Sequence, residues 1–263
     1  MSTWTALHAE LDAWGAARKT ATFWWRDDDA TSLTPALEKL LDRAARHRVP
    51  LCLAVIPAKA DATIPSRLSA ASDVAIVQHG FAHANHAPPD AKKAEFLDGR
   101  PIADMVSEVA DGARRMGELF GQRHTPIFVP PWNRAPASLI ARLHGLGFVA
   151  LSSFGPRRSV LAGPALLQIN AHVDPIAWGG GRGFVGEAEA LDYLIGLLAA
   201  RRRRDADPAE PTGLLTHHAA EDDSCANFVE RLLDETRNHP AARWLDAVAV
   251  YRQALEQMHG LQS

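Results

Sequence analysis

Seven short apolar runs recur along the chain, and stretches with one apolar side separate most of them. The runs are residues 21–25, 49–56, 74–77, 126–129, 147–152, 166–170 and 213–216. Their length and their β-branched and aromatic content predict strands. The run 49–56 is apolar throughout and closed by Pro57, the pattern of a strand buried on both faces in a parallel sheet. The intervening stretches predict helices over 35–47, 65–71, 102–120, 138–146 and 188–200, with two more near the C-terminus over 227–237 and 244–257. Leu37, Leu40 and Leu41 mark the apolar side of the first, and Met105, Val109, Met116 and Leu119 that of the third. Residues 1–18 predict an amphipathic helix through Trp4, Leu7, Leu11 and Trp14. Strand and helix in alternation imply right-handed β-α-β units. Two stretches stand outside this rhythm: a polar excursion over 87–100, expected to fold over the site as a lid, and a glycine-rich loop over 179–183. The loop lacks phosphate-binding spacing and reads as mobility.

Composition narrows the class. With 263 residues, 47% of them hydrophobic, and no Ser/Gly/Pro-rich linker, the chain is expected to form one domain. A net charge of -3, from 28 basic and 31 acidic residues, gives no footprint for nucleic acid. The basic run Arg201 to Arg204 is expected to be a solvated turn that complements the dipole of the helix it closes. No stretch approaches the ~20 apolar residues of a membrane span, and residues 1–18 hold no signal-peptide core, so a soluble cytoplasmic protein is expected. Cys52 and Cys225 cannot build a disulfide framework, and Cys52, inside a strand-like run, is expected to be a buried reduced thiol.

The chemistry is concentrated where the runs end. The first stops in Arg26-Asp27-Asp28-Asp29, three adjacent carboxylates that raise one another's pKa and need a cation, either Arg26 or a metal. After the third run come His79, His83 and His86; on a helical turn the first two would leave one face and could close on a divalent ion. The fourth ends in Pro130-Pro131-Trp132-Asn133-Arg134 and the seventh in His217-His218, while Asp174 and Trp178 follow the sixth. Parallel strands would gather these ends at one mouth. One Asp and two His with open positions fit a catalytic divalent site, a further Asp can take a proton from water, and an opposing His can protonate a leaving group. Hydrolysis of an amide or ester follows; no Gly-x-Ser-x-Gly elbow supports a serine nucleophile.

Taken in order, these motifs resemble those of the polysaccharide deacetylase superfamily, the chitin and peptidoglycan deacetylase group of carbohydrate esterases. The resemblance runs from residue 26 to residue 218. It implies a distorted seven-stranded β/α barrel of the TIM-like kind over 21–263, with an N-terminal helix over 1–20 packed on it. It also implies one divalent metal ion, zinc first, with cobalt, manganese or nickel as alternatives. Arg26 to Ala30 matches T-F-D-D-G, which makes Asp28 the general base and Asp29 a metal ligand; a register one residue earlier gives those roles to Asp27 and Asp28. His79 to His83 matches His-Ser/Thr-x-x-His with Gly80 at the hydroxyl position, and His86 is an extra or substitute ligand. Val129 to Asn133 matches R-P-P-Y-G with Val129 in place of the arginine, whose charge Arg134 or Arg26 would supply. Trp132, Asn133, Arg134, Asp174 and Trp178 become substrate-side residues, and Leu215-Thr216-His217 makes His217 the general acid, with His218 in reserve. The implied activity is removal of an acetyl group from an N-acetylated sugar or glycan, with metal-bound water as nucleophile. Val129 and Gly80 leave open a catalytically lapsed barrel that binds a saccharide or a partner. A glycosidase using Asp28 and Asp174 would leave the imidazoles idle.

Overall fold

A computed structural model of the protein describes residues 2–68, 73–179 and 182–260. The chain runs α1 (Trp4–Ala16), β1 (Ala21–Ala30), α2 (Pro35–His47), β2 (Leu51–Val55), α3 (Thr63–Leu68), β3 (Val74–His79), α4 (Ile102–Phe120) and β4 (His124–Val129). It continues through α5 (Ala137–Leu143), β5 (Ala150–Leu151), β6 (Leu161–Gly163), β7 (Leu166–Gln168), β8 (Ile176–Ala177) and β9 (Gly183–Phe184). It ends with α6 (Glu187–Arg203), β10 (Thr212–Thr216), α7 (Asp223–Arg237), β11 (Ala242–Trp244) and α8 (Ala247–Gly260).

The main sheet has the order β10-β1-β2-β3-β4-β5-β7, every neighbouring pair parallel. The chain leaving β7 returns to β10: Val173 bridges Leu214, and the His172 and Val173 amides both donate to the Gly213 carbonyl. These seven strands therefore close on themselves as a distorted barrel. β6 adds antiparallel to β7, β11 pairs with the start of β1, and β8 and β9 form a separate two-stranded ribbon.

Alternation along each strand sorts side chains between two layers. Phe23 and Trp25 of β1 and Leu51, Leu53 and Val55 of β2 pack outward among helix residues such as Leu7, Leu37 and Leu233. Trp24, Cys52, Ala54, Val77, Ile127 and Val129 form a second, interior cluster, against which Val250 and Ala254 of α8 pack. Helix starts follow local capping: Thr3, Thr34 and Asp222 each accept a main-chain N–H, and Pro35 opens α2.

The structure corrects several expectations. Arg201 is not solvated: it is 2% exposed, donates to the Thr22 carbonyl and hydroxyl and to the Thr212 hydroxyl, and lies over the Trp14 ring. Burial lowers its pKa to about 10, and the run closes instead on Arg204 in left-handed conformation. Trp244 belongs to β11, because Asp246 caps the following helix by accepting the Ala249 amide. The helix expected over 65–71 is seen as α3, and residues 69–71 lie outside the described residues, as do Gly180 and Gly181 of the glycine-rich loop. Cys52 is a free, buried thiol, and burial pushes its pKa to about 12.

Candidate metal centre

The exit of β1 separates its three aspartates. Asp27 pairs with Leu53 and Ala30 with Val55, so β1 carries an extra residue there, and Asp29 takes a left-handed φ of 73°. Asp27 faces the helix layer, fully buried: it accepts from the Thr216 hydroxyl at 2.7 Å and the His218 amide at 3.0 Å, and its other oxygen lies 2.5 Å from His218 Nδ1. Asp28 faces the interior beside Arg26, whose Nη2 donates to Oδ2 at 3.0 Å; Nε lies 2.9 Å from Oδ1 without hydrogen-bond alignment. The rest of that guanidinium is held by Ser152 Oγ at 2.6 Å, the Ser153 carbonyl and Asn133 Oδ1 at 2.7 Å. Asp29 emerges at the mouth.

There it meets the histidines. Asp29 Oδ1 lies 3.1 Å from Nε2 of His79 and 3.1 Å from Nε2 of His83, and the three donor atoms all lie within 4.8 Å of one another. Bonds of about 2.0–2.1 Å at tetrahedral angles put ligand atoms about 3.3 Å apart, so the spacing fits one small divalent ion. His79 Nδ1 lies 3.0 Å from the Val129 carbonyl, which fixes the proton there and turns Nε2 to Asp29. Burial disfavours the Asp29 charge, but the hydrogen bond and charge of His79, then the charges of His83 and His217, hold its carboxyl well below the ordinary range. Burial and the neighbouring His79 lower the pKa of His83.

The expected helical turn is absent. His79 ends β3, and the chain then loops through Gly80 (φ 55°) to His83 (φ 53°), so the rings converge through a tight loop, with centroids 5.1 Å apart. Nor is the excursion over 87–100 a free lid. Glu95, 1% exposed, reaches from it beneath the histidine loop and accepts from the amides of Phe81 and Ala82. Nothing in the sequence marks Glu95, because a lone acid in a polar stretch carries no periodic signal. His86 is exposed and outside the donor cluster.

From β4, the Trp132 ring packs on His83 with centroids 4.2 Å apart, while Trp132 and Asn133 both take left-handed φ. Arg134 is exposed and donates to the Lys93 carbonyl, so Arg26 is the arginine beside Asp28. Across the mouth, His217 Nδ1 lies 4.0 Å from Asp174 Oδ2, and the same oxygen accepts from Trp178 Nε1 at 2.7 Å. Burial raises the Asp174 pKa. Trp178, 45% exposed, sets its ring edge-on to His217 at 4.5 Å. His218 turns away from the mouth to Asp27, and that carboxylate, set against the opposing effect of burial, raises its pKa. An open groove of about 610 Å³ adjoins the mouth, lined by Lys92, Phe96, Asp98, Asn133, Arg134 and Ser153 among others.

No protein-family model matches the sequence, and no curated protein matches it. Solved structures do match in shape. A Mycobacterium smegmatis protein described provisionally as a polysaccharide deacetylase aligns with a TM-score of 0.66 at 16% identity, over 91% of this chain and 92% of that one. A family 4 carbohydrate esterase from Streptomyces lividans, solved in complex with acetate, gives 0.54 at 14% identity over 86% and 91%. A family 4 acetyl xylan esterase from Clostridium thermocellum, in complex with a cobalt ion, gives 0.52 at 12% over 88% and 90%. The chain thus has the fold of the polysaccharide deacetylases and family 4 carbohydrate esterases.

Proposed function

We propose that the protein is a metal-dependent hydrolase that removes an acetyl group from an N-acetylated sugar or glycan. The observation that carries this is the Asp29, His79 and His83 donor cluster at the barrel mouth, with Asp28 and His217 beside it. The shared fold with esterases solved with acetate and with cobalt supports the reading. Asp29, His79 and His83 would hold the ion, zinc being the first choice for a nitrogen-rich set of this size. A divalent ion held there would lower the pKa of bound water toward ~7 and polarise a carbonyl.

The chain's own groups supply the rest. Asp28, oriented by Arg26, keeps lone pairs free to take a proton from the attacking water. His217 acts as general acid: Asp174 faces its Nδ1, which leaves the other ring nitrogen for the leaving amine. The Trp132 amide is the oxyanion donor, and Trp178 with the adjoining groove receives the sugar. Arg26 beside Asp28 supplies the charge that Val129 lacks, and Glu95 bonds the loop that begins at Gly80, which supports a working site over a lapsed one.

Elemental analysis paired with an acetate-release screen over small N-acetyl sugars and short glycans tests the proposal. Wild-type protein should carry close to one divalent ion and release acetate, and His83→Ala should lose both. Acetate release at the wild-type rate by H83A would refute it.

A further inference from the structure

Resting on the metal reading above, we infer that Glu95 is a positioning residue, whose carboxylate shapes the loop that presents His83 to the ion. The two histidines have unequal support. His79 is the last residue of β3, and its ring is fixed by the Val129 carbonyl at 3.0 Å. His83 stands on a loop with left-handed residues at both ends, Gly80 at φ 55° and His83 itself at φ 53°. A left-handed residue other than glycine costs about 1–2 kcal/mol, and such conformations persist only where the surroundings impose them.

Glu95 is what imposes this one. One carboxylate oxygen accepts from the Phe81 amide at 3.1 Å; the other accepts from Ala82 at 2.7 Å and, at longer range, from Ala84 at 3.5 Å. The bonded amides thus bracket His83 on both sides in sequence. The loop is also built around this carboxylate: a Cβ at position 80 would stand 2.1 Å from Glu95 Oε2 and 2.5 Å from Pro131 Cδ, so the residue there must be glycine. Gly80 is tied from its other sides, its amide donating to the Val129 carbonyl at 2.9 Å and its carbonyl accepting from Gln78 Nε2 at 2.9 Å. None of these ties acts on residues 82–84, so the main chain that carries His83 follows the carboxylate, while Trp132 and Asp29 contact the ring itself.

Glu95→Gln tests this in the full-length protein, because an amide NH₂ turned toward a main-chain N–H cannot accept from it. Cobalt(II) is the probe, titrated by its visible d–d absorption and in competition with a chelator. E95Q should bind cobalt about 10–100-fold more weakly than wild type, with an altered d–d spectrum. Glu95→Asp, which keeps the charge on a shorter arm, should fall between them. Leu11→Ala is the control for a general loss of stability: Leu11 is fully buried in the helix-layer core away from the mouth, and its truncation should lower the metal-free Tm without changing cobalt affinity. Cobalt affinity of E95Q within twofold of wild type, or an equal loss in L11A, would overturn the inference while leaving the metal reading intact. Wild-type protein that takes up no cobalt would end both.

Discussion

Three consecutive aspartates at a buried strand end survive because each carboxylate meets a different partner. The extra residue in β1 sends Asp27 to His218, Asp28 to Arg26 and Asp29 to the imidazoles of His79 and His83. That the carboxylates need cations was legible from the sequence; which one each takes was not, because the bulge rests on a non-glycine residue at positive φ and no glycine marks it. The division of labour predicts distinct phenotypes. Asp28→Asn should retain metal, since Asp28 lies outside the donor cluster, and lower kcat by about 10²–10⁴, the usual contribution of a positioned base. Arg26→Ala should do more, because it strands a carboxylate only 2% exposed. Breaking a buried pair from one side costs about 3–5 kcal/mol, so urea melts should detect R26A as a fold-wide loss as well as a kinetic one. An R26A protein as stable and as active as wild type would show that the Arg26 contact is idle.

Among elements, the sequence was most readable where the repeat was longest. The 19 residues of α4 and the 13 of α2 show their apolar sides plainly. β8 and β9 have two residues each, and β6 and β11 three, too few for any period to register. Loop geometry was least legible of all, since the convergence of His79 and His83 depends on an acid 12 residues beyond the second of them. The packing of α2 on α7 offers a test at this scale. Glu230 of α7 faces Arg43, Arg46 and His47 of α2. Burial pushes its pKa up, but His47 and the two arginines outweigh burial and hold the carboxyl at about 2, below its ordinary 4.5. A depressed carboxyl pKa stabilises the fold above the unfolded value, and that stabilisation is lost as pH falls through the folded one. Glu230→Gln should therefore lower Tm at pH 7 by about 2–4 °C, equivalent to about 1 kcal/mol for a half-exposed network in a chain of this size. The gap to wild type should close between pH 4.5 and about 2, and a gap that stayed constant across that range would show that charge is not what joins these helices.

For the molecule as a whole, the parallel barrel gathers what the sequence scatters. Residues 29, 79, 83, 132, 174 and 217 meet because each lies at or beyond the carboxyl end of a strand running the same way. This convergence was the most legible feature, since seven apolar runs, four of them closed by polar or aromatic motifs, imply it before any distance is known. It also has a thermodynamic consequence. Asp29, His79 and His83 come from two strand exits and are brought within 4.8 Å only in the folded state, so an ion bound there belongs to the native protein alone. Such a ligand stabilises by RT ln(1 + [L]/Kd), about 2.7 kcal/mol at a hundredfold excess over Kd. At about 2–4 °C per kcal/mol for a chain near this length, zinc should raise Tm by about 5–11 °C over the chelated protein. The increment should grow with the logarithm of zinc concentration and vanish in His83→Ala, whose own metal-free melt should stay near that of wild type because His83 is a loop residue at the surface of the mouth. A zinc increment of the same size in H83A would place the stabilising ion elsewhere on the protein and detach the barrel mouth from metal chemistry.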